Sequence, residues 1–113
     1  MPMMRQWIAA VIVPLGLLAL AQPAMAEAPA IYYAWRSATV SQAQCLGQAE
    51  QALTSQQLAT AQTDDTSVAG QGNDATAVFV CLKDGDATTV MIIVASSSED
   101  RAMALREALK QAF

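Results

Sequence analysis

Two cysteines, Cys45 and Cys81, are the residues of this 113-residue sequence with most chemistry to offer, and no histidine accompanies them. Histidine is the side chain whose unperturbed pKa suits proton transfer near neutral pH, and it is the commonest metal ligand. Its absence excludes Ser-His-Asp and Cys-His catalysis within one chain. It also excludes zinc sites that use an imidazole, and two cysteines cannot make a four-cysteine site. Redox-active pairs typically use a C-x-x-C spacing at a helix N-terminus, which lowers the attacking thiol's pKa. Cys45 and Cys81 lie far apart in sequence, so the pair reads as structural rather than catalytic.

The remaining candidates for chemistry each have a plainer reading. Ser96, Ser97 and Ser98 with Lys83 or Lys110 would be the parts of a Ser-Lys nucleophile, but serines directly before Glu99-Asp100 read as helix caps. Gly70-x-Gly72-x-x-Ala75 has glycines spaced as in a phosphate-binding turn, which must open a helix; here a strand pattern follows, so it reads as a turn. Asp64-Asp65 and Asp84-Gly85-Asp86 lack the spacing of a calcium loop, and Asp is common in turns. Tyr32, Tyr33 and Trp35 could stack on a sugar or an aromatic ligand, although aromatics in the strand of a small domain more often belong to its core. No catalytic residue, metal site or cofactor is assigned, and the chain is read as a non-enzyme.

The segment that precedes these residues sets their compartment. Arg5 is followed by residues 7–20 without a charge, and then by Ala24-Met25-Ala26. This is the order of a cleavable secretory signal. A transmembrane helix needs about 20 apolar residues, whereas this stretch is shorter, holds Pro14 and Gly16, and has no cationic stop after it. The expected division is a signal peptide over 1–26 and one small domain over 27–113, periplasmic or secreted, with no membrane anchor after cleavage. No cysteine follows the small residues and there is no Arg-Arg pair, which leaves the general secretory route. In an oxidising compartment the two cysteines should form a Cys45–Cys81 disulfide. Two buried free thiols are the alternative.

Composition narrows the partners. Ten acidic residues face six basic ones, for a net charge of −4, and Arg5 leaves with the signal, so the mature chain is expected to be more acidic still. Nucleic acid and anionic lipid both require basic patches, and neither is an expected partner.

The elements that must hold these residues follow from local pattern. Residues 31–39 are aromatic and β-branched, suiting a first strand. Ser41-x-x-Gln44 is a capping box, opening a helix over 42–58 that aims Cys45 inward. Residues 60–65 read as a polar connection, 67–69 as a short strand and 70–74 as a turn. Residues 75–82 and 88–95 read as two strands of a hairpin closed at Asp84-Gly85, and a last helix covers 99–112. The resulting expectation is an α+β domain in two layers, β-α-β-β-β-α, with a four-stranded, largely antiparallel sheet and two helices on one face.

One consequence concerns the other face. With Cys81 directed at the helices, alternation sends Val78, Val80 and Leu82 away from them, and the strand over 88–95 is likewise apolar on both sides. A sheet with one face in water should alternate apolar and polar residues. An expected cover for the second face is another copy of the chain, as a homodimer, or another exported protein; within a monomer the alternatives are the first strand's aromatics, a terminal segment or a sharp twist of the sheet. The function expected is an exported interaction module working through this face. The alternative is a small-ligand binder using Tyr32, Tyr33 and Trp35.

Overall fold

The computed structural model describes residues 28–113, and the expected signal peptide lies outside the described residues. The elements are β1 (Ala30–Ala38), α1 (Gln42–Ser55), β2 (Ala59–Gln62), β3 (Ser67–Gln71), β4 (Ala75–Asp84), β5 (Ala87–Ser96) and α2 (Glu99–Ala112). They build one antiparallel sheet in the order β1-β5-β4-β3-β2, with the two helices beside it.

The sheet therefore has five strands where the sequence predicts four. The extra strand, β2, starts at Ala59 and takes up the first half of the stretch read as a polar connection. It forms because the chain can turn back tightly. Asp64 Oδ1 accepts hydrogen bonds from the Thr66 backbone N–H (2.7 Å), the Thr66 hydroxyl (2.9 Å) and the Ser67 hydroxyl (2.9 Å). That turn lays Ala61 opposite Ala69 and Thr60 opposite Gly70. For the same reason β3 continues through Gly70 and Gln71, and the following turn is shorter than expected. Gly70 is needed there: a Cβ would come within 3.0 Å of the Leu58 Cβ and 3.1 Å of a Leu53 methyl.

Helix α1 starts as its capping box dictates. Ser41 Oγ accepts from the Gln44 N–H at 3.1 Å, and Gln44 Oε1 accepts from the Ser41 N–H at 3.0 Å, satisfying donors that the first turn otherwise leaves orphaned. The helix ends at Ser55, three residues short of the predicted span. Gln57 adopts φ 64°, its N–H donates to the Thr54 carbonyl, and the Leu58 N–H donates back to the Leu53 carbonyl. This is a Schellman stop, and it folds Leu58 under the helix into the core.

Both helices cover the same side of the sheet, α1 across β2, β3 and β4 and α2 across β5 and β1. Between them lie Cys45, Ala49, Leu53, Leu105 and Leu109 from the helices, packed on Val68, Ala77, Phe79, Val90 and Val94 from the strands. Phe113 closes one end by stacking on Phe79 with ring centroids 5.5 Å apart.

Cys45 and Cys81 are joined by a disulfide, with Cα atoms 6.1 Å apart and both residues fully buried. The bridge ties the first turn of α1 to β4. Beside it the Gln42 side-chain amide donates to the Cys81 carbonyl at 2.8 Å.

Candidate functional site

Period-two alternation places every second residue of each strand on the side away from the helices. From β1 these are Ile31, Tyr33 and Trp35; from β5, Met91, Ile93 and Ala95; from β4, Val78, Val80 and Leu82. Strand register lines them up in rows. One row reads Tyr33, Ile93, Val78, Ala69, Ala61, and the next reads Trp35, Met91, Val80, Ser67. The charged exception on this side is Asp84, at the hairpin end of β4.

No described element lies over this face. Tyr33 is 62% exposed, Trp35 66% and Leu82 48%, whereas Phe79 and Cys81, their neighbours across the sheet, are fully buried. Val78, Val80 and Ile93 in the middle are partly exposed. Polar residues do occur at the margins, with Ser37, Thr89, Thr76 and Gln71 completing the strands.

The three aromatics do not form one cluster. Tyr33 and Trp35 stand side by side on the open face, while Tyr32 faces the helices. The Tyr32 hydroxyl donates to Glu99 Oε2 at 2.9 Å, and the Arg106 guanidinium lies 5.4 Å from its ring centroid. That hydrogen bond to Glu99 pushes the Tyr32 phenol above its ordinary value of 10.0. Arg106 also donates to the Tyr33 carbonyl at 3.4 Å, so the helix occupies an outward backbone acceptor of the edge strand. Ile31 belongs to the face as well; counting back two from Tyr33 would have found it.

The other motifs are used structurally. Ser98 caps α2, accepting from the Arg101 N–H at 3.2 Å, and Ser96 is buried, donating to the Asp74 carbonyl at 2.6 Å. Lys110 contacts Glu107 at 3.2 Å. Asp64 is held below its ordinary 3.8 by the hydrogen bonds of its own turn, the Thr66 N–H foremost. Among the described residues no three His, Cys, Asp or Glu side chains gather as a metal site would require, and no helix is long and apolar enough to cross a membrane.

A cleft of about 40 Å³ lies between β1 and the C-terminus, bordered by Ala34, Val90, Ile92 and Phe113. It has room for water alone, since sites for small organic ligands run to several hundred Å³. A wider, open depression runs along the β1 edge, bordered by Tyr33, Trp35, Arg106 and Lys110.

No protein-family model matches this chain, and neither does any curated protein.

Proposed function

We propose that the mature chain is an exported, non-enzymatic interaction module whose working surface is the open sheet face. The observation that carries this reading is a nearly uncharged, largely apolar surface that spans five strands, with no described element over it. Contiguous apolar surface on that scale marks association sites, because leaving it in water costs about 25 cal/mol per Å². The buried disulfide fits an oxidising compartment, where such bridges persist. The chemistry on hand, two bonded cysteines and no histidine, offers little to an enzyme.

Site-specific photo-crosslinking in the producing cell tests the reading. A photoreactive side chain at Val80 should give a crosslinked protein adduct, and the same group at Gln51, exposed on α1, should not. Equal labelling at the two positions, or none at Val80, would reject the face as the working surface.

The depression beside Tyr33 and Trp35 favours a second reading, a small-ligand binder with an aromatic wall and two cations at its rim. Trp35 is the single tryptophan of residues 27–113, so its fluorescence reports on both readings. Saturable change with a small aromatic anion and no protein adduct at Val80 would favour the binder.

A further inference from the structure

Resting on that reading, we infer that the occupant of the open face is a second copy of this chain, packed sheet on sheet about a two-fold axis that runs along the strands above β4. Area, charge and side-chain size point the same way.

Five strands spaced about 4.8 Å apart, from four residues long in β2 to ten in β4 and β5 and averaging about eight at 3.3 Å each, make a face of roughly 600 Å² per copy. Two such faces bury about 1,200 Å², the lower bound of stable specific interfaces. Both copies are acidic, with net charge −4 before cleavage, yet the face itself is uncharged up to Asp84 at its rim. Apart from Asp84, which this axis sets over its own copy at the hydrated rim, repulsion then acts between groups on the far sides, beyond the screening length of about 8 Å at physiological salt.

The decisive feature is a gradient of size across the sheet. The β1 edge carries Tyr33 and Trp35, the middle carries Ile93, Met91, Val78 and Val80, and the β2 edge carries Ala59 and Ala61. With the strands of the two sheets aligned, two two-fold arrangements bring such faces together. An axis across the strands lays β1 on the partner's β1, crowding four large aromatics at one edge and leaving alanine against alanine at the other. Aligned sheets sit about 10 Å apart, and interiors pack without voids, so that arrangement is strained at one edge and hollow at the other. An axis along the strands reverses the order. β4, the central strand, lies on the partner's β4. Tyr33 then lies over the partner's Ala61, large on small along both edges.

The test uses the oxidised mature protein, residues 27–113, in sedimentation across a dilution series, with far-UV circular dichroism as the control for folding. Wild type should be a concentration-dependent dimer. Val80→Glu, at the centre, should be monomeric with its spectrum unchanged. Ala61→Tyr should weaken the dimer by about tenfold or more, and Tyr33→Ala/Ala61→Tyr, which swaps the sizes, should recover much of it. A dimer untouched by Val80→Glu, or strengthened by Ala61→Tyr, would overturn the arrangement. A wild type that stays monomeric at every concentration would overturn self-association altogether. In that case an adduct from Val80 to a different protein would keep the interaction surface and discard only its occupant.

Discussion

Cys45 and Cys81 hold the fold at the residue scale. Their bridge closes a separation of 36 residues and joins α1 to the sheet at two fully buried positions. Constraining the unfolded chain over such a loop is worth about 4 kcal/mol, a large share of the stability a domain this small can have. Cys45→Ala/Cys81→Ala should therefore lower the urea midpoint far more than a surface change, by about that free energy. A loss under about 1 kcal/mol would show that the bridge constrains little. Asp64 is the residue whose protonation the fold feels through hydrogen bonds of its own turn. Donors from Thr66 and Ser67 favour the carboxylate and depress its folded pKa below 3.8. The group thus adds stability at pH above 3.8, and that contribution is lost as pH falls through the lower folded value. An NMR titration should place the Asp64 midpoint below that of an unstructured peptide, and Asp64→Ala should remove the corresponding step in stability on acidification.

At the scale of elements, what ends α1 is a glutamine in a conformation that suits glycine. Gln57 at φ 64° completes the Schellman stop at a cost that a glycine there would avoid. Gln57→Gly should raise stability by about 0.5 to 1 kcal/mol, read as a higher melting temperature, after the greater freedom of glycine in the unfolded chain is offset. The stop also shows why the predicted helix ran to residue 58. No glycine or proline interrupts residues 48–58, and a left-handed glutamine leaves no mark that a glycine or asparagine would. Strand β2 was illegible for a related reason: Ala-Thr-Ala-Gln is only four residues long, has alanine alone at its apolar positions and Thr60 alone as a β-branched residue, and its pairing depends on the Asp64 turn. By contrast, the capping box of α1 was legible because its signal is local. So was the β4–β5 hairpin, whose two loop residues are Gly85 and Asp86, Gly85 supplying φ 64°.

For the whole molecule, the question is how one sheet serves two environments. The open face was legible in part, because the β4 and β5 segments are apolar on both sides and a half-exposed strand should alternate. The size gradient was not, since it exists only once β1 is known to pair with β5 and β2 to close the far edge. Neighbours on β4 make the division measurable. Phe79 is fully buried and stacked on Phe113, whereas Val80, the next residue, points to the open side. Phe79→Ala removes a large core side chain and leaves a cavity, for an expected loss of about 3 to 5 kcal/mol. Val80→Ala removes two methyl groups that already meet water, for a loss of about 1 kcal/mol or less under dilute conditions. Urea unfolding at low protein concentration should separate the two variants by several-fold. Comparable losses would mean that the sheet is covered on both sides within a single chain, and the open face would then cease to be a surface available for association.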